Sequence, residues 1–144
     1  MKVLVIDDEA DIRRIAQLAL ERVGKMEVAE ADSGVGIVER VELEKPDAIL
    51  LDVMMPGLDG PATFRVLRGD ARSASIPVIF LTAKAQPAEI ERLKALGARA
   101  VLTKPFDPML LAAQVRAVLD ESANARSGRP TETGNSAGTD NPSA

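Results

Sequence analysis

The chain has 144 residues, 46% of them apolar and 28% charged, with a formal net charge of −4; that length holds one domain with a sizeable core, and the acidic balance argues against direct binding of DNA or RNA. It contains neither Cys nor His, which excludes disulfides, thiol chemistry, His-ligated zinc and imidazole acid–base catalysis, so that any metal must be a hard cation held by oxygen. With three Phe and no Tyr or Trp it cannot build a base-stacking platform, and its apolar runs fall far short of the roughly 20 residues that span a bilayer.

The expected elements follow a rhythm of short apolar run, turn and amphipathic stretch, repeated five times, which predicts βα units around a parallel sheet. The first strand is Val3 to Ile6. Ile12, Ile15, Ala16, Ala19 and Val23 then recur at helical spacing and Gly24 stops that helix. Residues 27–31 read as a short second strand. Ser33 is the expected cap of a second helix with Ile37, Val38, Val41 and Leu43 inward.

The third strand is expected at 47–51, followed by a loop from Met54 to Gly60 and a third helix opened by Pro61 and carrying Phe64, Val66 and Leu67. Pro77 opens the fourth strand, and Pro87 opens a fourth helix with Ile90, Leu93 and Leu96, closed by Gly97. The fifth strand spans 99–103. Asp107 and Pro108 read as cap and first position of a fifth helix with Leu111, Val115, Val118 and Leu119 inward. From Ser122 to Ala144 the residues are mostly small and polar without apolar period. The expectation is a folded unit over 1–121 and a disordered tail or linker over 122–144.

Four of the five strands run into a residue suited to phosphoryl chemistry. The first meets Asp7-Asp8, the third Asp52, the fourth Thr82 and the fifth Thr103-Lys104-Pro105. In a parallel sheet these lie at one edge, the edge where open α/β sheets bind ligands. Adjacent acids repel, at about 4 kcal/mol for unit charges 4 Å apart at an effective dielectric near 20, and a divalent cation removes that cost. A carboxylate at a strand tip beside a cation can accept a phosphoryl group. A hydroxyl and an ammonium can then hold its oxygens. The Lys104–Pro105 peptide is expected to be cis. Neither a GxxxxGK[ST] loop nor a GxGxxG turn after a strand is present.

Taken together, Val5-Ile6-Asp7-Asp8-Glu9, the run from Leu51 to Gly60, Leu81-Thr82-Ala83 and Leu102-Thr103-Lys104-Pro105-Phe106 resemble the receiver domain of two-component response regulators, over about residues 1–121. The resemblance implies a flavodoxin-like (βα)5 fold, a doubly wound five-stranded parallel sheet in the order 2-1-3-4-5. It implies Asp52 as acceptor of a phosphoryl group from a phosphohistidine on a histidine kinase or histidine phosphotransfer protein. It further implies Mg²⁺ held by Asp7, Asp8, Asp52 and the backbone carbonyl of Met54, with Asp8 the more direct of the paired acids. Lys104 and Thr82 would bind the phosphate oxygens, and Thr82 would move inward on phosphorylation. An output partner would read the face of the fourth helix, fifth strand and fifth helix.

Such a domain is a cytoplasmic switch without membrane insertion, and not an enzyme beyond its own phosphorylation and dephosphorylation. Met54 and Lys84 occupy positions that tune dephosphorylation in the family. One residue departs from the pattern: receivers often carry Tyr or Phe three residues before the lysine, and here that residue is Val101. The alternatives are a receiver-fold interaction module that works without phosphorylation, which the intact acids, Thr82 and Lys104 argue against and Val101 keeps open, and a magnesium-dependent aspartyl phosphohydrolase. Such hydrolases place the nucleophile after the first strand and carry a cap domain.

Overall fold

A computed structural model describes residues 1–127, with side chains through residue 121. Five strands, β1 (Lys2–Ile6), β2 (Glu27–Ala31), β3 (Ala48–Asp52), β4 (Val78–Thr82) and β5 (Ala100–Thr103), alternate with five helices. The helices are α1 (Ala10–Leu18), α2 (Ile37–Glu44), α3 (Gly60–Arg68), α4 (Pro87–Ala95) and α5 (Leu111–Ser127). The strands form one parallel sheet in the order β2-β1-β3-β4-β5.

Side chains of a strand alternate between its two faces, and this alternation sorts the core into two layers. Val3 and Val5 of β1, Ala48 and Leu50 of β3, and Ile79 and Leu81 of β4 pack with Ala16, Leu20, Leu111 and Val115, beneath α1 and α5. Their neighbours Leu4, Ile6, Ile49, Leu51, Val78 and Phe80 pack with Ile37, Val41, Phe64, Leu67 and Leu93, beneath α2, α3 and α4. The three central strands are therefore apolar except at their ends, as burial on both faces requires. The edge strands β2 and β5 are only half-buried.

Several local expectations are corrected. A turn of π helix, Ala19–Val23, follows α1. The extra residue in that turn rotates the apolar face, so Leu20 is buried while Val23 is exposed; Ile15, within α1, is exposed too. Gly24 does end this segment, for want of space: a Cβ there would lie 2.5 Å from the Cβ of Ala112 on α5. Ser33 does not cap α2. Its Oγ accepts from the Val35 N–H at 3.0 Å, and the cap position is Gly36, at φ +69°. Leu43, expected inward, is 76% exposed.

In α3 the Asp59 carboxylate accepts from the Ala62 N–H at 2.9 Å, and Pro61 opens the helix; Val66 faces solvent. Asp107 accepts from the Met109 N–H at 2.8 Å, but residues 108–110 form a turn and α5 begins at Leu111. It continues through Ser127, past the boundary expected at 121. The rest of the expected tail, residues 128–144, lies outside the described residues.

Candidate functional site

The functional side chains stand where the parallel strands end. Asp7 follows β1 directly, and Asp52 and Thr82 are the last residues of β3 and β4. β1 and β3 pair with Ile6 opposite Leu51, which puts Asp7 beside Asp52. Three oxygens, one each from Asp7, Asp8 and Asp52, lie within 4.8 Å of one another. Asp7 and Asp52 are buried, whereas Asp8 is exposed. The cluster is composed of hard oxygen donors alone, the chemistry that Mg²⁺ selects, so these residues fit a small divalent cation.

Lys104 closes the pocket from the far side of the sheet. Its backbone N–H donates to the Thr82 carbonyl at 2.8 Å, continuing the β4–β5 ladder past the last strand residue. Its Nζ donates to Asp7 Oδ2 at 3.0 Å, pairs with Asp52 Oδ1 at 3.0 Å and approaches Glu9 Oε1 to 3.7 Å. The Lys104–Pro105 peptide is cis, as the sequence predicts.

Burial pushes the Asp52 carboxyl up to about 6; the Lys104 ammonium pulls against this, and the Asp7 charge adds to it. Burial works to lower the pKa of Lys104, but the bonds to Asp7 and Asp52 outweigh it and hold the ammonium above its ordinary value.

The backbone around Asp52 is fixed closely. Asp52 Oδ1 accepts from the Met54 N–H at 3.4 Å, and the Val53 N–H donates to the Leu81 carbonyl at 3.0 Å. Gly60, at the start of α3, lies so near β3 that a Cβ on it would overlap the Asp52 carbonyl and stand 2.7 Å from Val53 Cα. Thr82 is buried, and its Oγ1 accepts from the Lys84 N–H at 3.0 Å, tying the start of the β4–α4 loop to the strand end. Val101 is half-buried on β5. Met54 is 64% exposed beside the acids.

Sequence reasoning missed Arg13, whose guanidinium donates to the Asp7 carbonyl, and Glu30, which pairs with that guanidinium. In sequence Arg13 reads as one more charge on the polar side of an amphipathic helix, and Glu30 as an ordinary strand residue. Only the pairing of β1 with β2 brings the two together. A surface cavity of about 610 Å³ opens beside this pair toward Arg40 and Leu43, and none of the three clustered acids lines it.

A doubly wound parallel sheet in this order, with acids, a hydroxyl and a lysine gathered at the carboxyl ends of its strands, has its polar chemistry where open α/β sheets bind ligands. The family model described as the response regulator receiver domain matches residues 3–116, and the chain belongs to that family. It is similar to the transcriptional regulatory protein CseB of Streptomyces coelicolor, at 41% identity over 90% of this chain and 54% of that one. It is also similar to the phosphate regulon transcriptional regulatory protein PhoB of Pseudomonas aeruginosa, at 40% identity over 92% of this chain and 57% of that one. The chain thus spans little more than half the length of these relatives.

Among solved structures it resembles the chemotaxis protein CheY4 of Vibrio cholerae, with a TM-score of 0.74 and 31% identity over 81% of this chain and 97% of that one. The receiver domain of the Francisella response regulator 1452 gives a TM-score of 0.75 at 29% identity over 84% and 98%. No helix among the described residues is long and apolar enough to cross a membrane.

Proposed function

We propose that the domain is a phosphorylation-dependent switch of a two-component system, in which Asp52 receives a phosphoryl group from a phosphohistidine on a histidine kinase or histidine phosphotransfer protein. The observation that carries this reading is the convergence of Asp7, Asp8 and Asp52 within 4.8 Å, with the Lys104 ammonium 3.0 Å from both buried acids. Mg²⁺ would be held by the carboxylates of Asp7, Asp8 and Asp52 and by the Met54 backbone carbonyl. When bound, it supplies positive charge against the phosphoryl oxygens.

An Asp52 carboxylate oxygen attacks phosphorus, the P–N bond of the phosphohistidine breaks, and the imidazole nitrogen leaves with the electron pair. Lys104 then exchanges its Asp52 contact for a phosphoryl oxygen. The Thr82 hydroxyl gives up the Lys84 amide and donates to another. The modification adds about −1.5 to −2 charge at the sheet edge, and two charge-assisted contacts bias a two-state equilibrium by the few kcal/mol that a population shift requires.

The face of α4, β5 and α5 carries the change to an output partner. With Val101 where receivers often place an aromatic, the rearrangement runs through the Thr82–Lys84 loop and α4. The domain acts in the cytoplasm as a regulator, not as a turnover enzyme. Relatives named for transcription and for chemotaxis share this fold, and the proposal concerns the switch common to both.

The test is phosphorylation by a small phosphodonor such as phosphoramidate with Mg²⁺, followed by intact mass. The wild type gains one phosphoryl group; Asp52→Asn and the wild type with excess chelator do not. Labelling of Asp52→Asn at the wild-type level overturns the reading. A wild type that binds neither Mg²⁺ nor beryllofluoride selects instead the phosphorylation-independent module that Val101 keeps open.

A further inference from the structure

Asp7 is held by its backbone as well as by its carboxylate. Its N–H donates to the Ala31 carbonyl at 3.1 Å, and its carbonyl accepts from Arg13 Nη1 at 2.7 Å. The same guanidinium donates through Nε to Glu30 Oε1 at 3.2 Å. Arg13 thus reaches from α1 across the exit of β1 to β2, where Glu30 stands opposite Val5 in the parallel register. Its side chain is only 18% exposed. Asp7 Oδ1 accepts from the Glu9 N–H at 2.9 Å and Oδ2 from Lys104, so every polar group of this residue has a partner.

The peptide that joins Asp7 to Asp8 carries both carboxylates on its two ends. Holding its plane holds the two Cα atoms from which both side chains leave the backbone, and so limits how far either carboxylate can drift. The Arg13 bond to the Asp7 carbonyl does this, because a charged donor makes a strong hydrogen bond. A cation beside a cation-binding pocket would also repel the ion. Glu30 cancels that charge while holding the guanidinium in place, so the pair keeps its grip on the carbonyl without a net positive field.

We propose that Arg13 and Glu30 form a positioning pair for divalent-cation binding: Arg13 orients the Asp7–Asp8 peptide, and Glu30 anchors Arg13 and neutralises it. This rests on the acid-pocket reading above. Neither residue touches the ion or the reacting atoms; both act through Asp7 and Asp8. Outer partners that orient metal ligands are commonly worth about 10–100-fold in metal affinity.

The test titrates Mg²⁺ into the full chain by calorimetry or backbone amide NMR, alongside thermal melts in chelator. Arg13→Ala is expected to weaken Mg²⁺ binding about tenfold, and Arg13→Lys, which restores the charge and one donor, to recover part of the loss. Glu30→Gln leaves the carbonyl bond but uncovers the guanidinium charge. It is expected to weaken binding several-fold, more at low ionic strength, with a chelated melting temperature close to that of the wild type. A purely structural role would lower the melting temperature and leave affinity and its salt dependence unchanged. Wild-type affinity in both Arg13→Ala and Glu30→Gln overturns the proposal. Should Arg13→Ala fail to fold, Arg13→Lys and Glu30→Gln decide by the same criterion. A wild type that binds no Mg²⁺ overturns the acid-pocket reading and this one with it, whereas a binding wild type with unaffected variants overturns this one alone.

Discussion

The ammonium of Lys104 stands 3.0 Å from Asp52 Oδ1 and 3.0 Å from Asp7 Oδ2, and so links the ends of β1 and β3 from a loop beyond the opposite edge of the sheet. One cation serves two buried carboxylates and cannot neutralise both. The chelated pocket therefore keeps an excess of negative charge, and four expectations follow from that charge or from the packing around it.

The Asp52 carboxyl is raised to about 6 from an ordinary 3.8, chiefly by burial. An acid with a raised native pKa binds its proton more tightly folded than unfolded. Its ionisation therefore costs the fold nothing below about pH 4, and the penalty grows as pH rises through the native value near 6. In chelator, Asp52→Asn should stabilise the protein above about pH 6 by an amount on the order of 2 kcal/mol, and the gain should vanish near pH 4. Denaturant melts of both proteins across this range check it.

Asp8 is exposed, so Asp8→Asn should leave the melting temperature in chelator nearly unchanged. Mg²⁺ should stabilise the wild type by about 2.7 kcal/mol at a hundred times its dissociation constant. The Asp8→Asn protein should lose most of that gain at the same concentration, as paired melts with and without Mg²⁺ would show.

Gly60→Ala should destabilise the fold by about 1–3 kcal/mol, the usual cost of forcing extra atoms into a packed site. The new Cβ meets the Asp52 carbonyl and Val53 Cα, which belong to the backbone and cannot swing aside. The same push displaces Asp52, so Mg²⁺ affinity should fall as well. A variant with wild-type affinity would show that the α3 start and the acid cluster are mechanically independent.

Gly34 lies against α3 so closely that a Cβ on it would overlap Thr63 Oγ1 and stand 3.0 Å from Leu58 Cδ2. Thr63 Oγ1 is buried and has no hydrogen-bond partner. Gly34→Ala should cost about 1–3 kcal/mol. Adding Thr63→Ala should return part of it, because the second change removes both the obstructing oxygen and an unsatisfied buried polar atom. A double-mutant cycle by chemical denaturation measures the coupling.

Much of this molecule is legible in its sequence because the central strands are apolar runs that end abruptly on polar residues. Val3 to Ile6 stopping at Asp7, and Ala48 to Leu51 stopping at Asp52, fix both the sheet and the edge where chemistry gathers. The cis peptide before Pro105 is legible for a similar reason, since proline marks it. What escaped depends on geometry that neighbouring letters do not encode. The π turn at Ala19–Val23 shifts the buried face from Val23 to Leu20 with no Pro or Gly inside it to signal the change. Ser33 has the chemistry of a cap but bonds two residues ahead within the loop, leaving the helix start to Gly36. Leu43 sits where α2 has already turned toward solvent. Arg13 and Glu30 have no local signature, because their meeting is a property of which strands lie side by side.

The division of labour along β1 carries a consequence for how this domain tolerates change in length. Val3 and Val5 serve one side of the sheet, Leu4 and Ile6 the other, and the parity of that count also decides where Asp7 emerges. Deleting or inserting one residue within β1 would exchange the tenants of both layers and turn the acid out of its cluster in a single stroke. The turn at Gly57, left-handed at φ +74° with open space around it, carries no such parity. Random indel libraries screened for folded protein should accordingly leave β1 and β3 untouched and accumulate their survivors near residue 57.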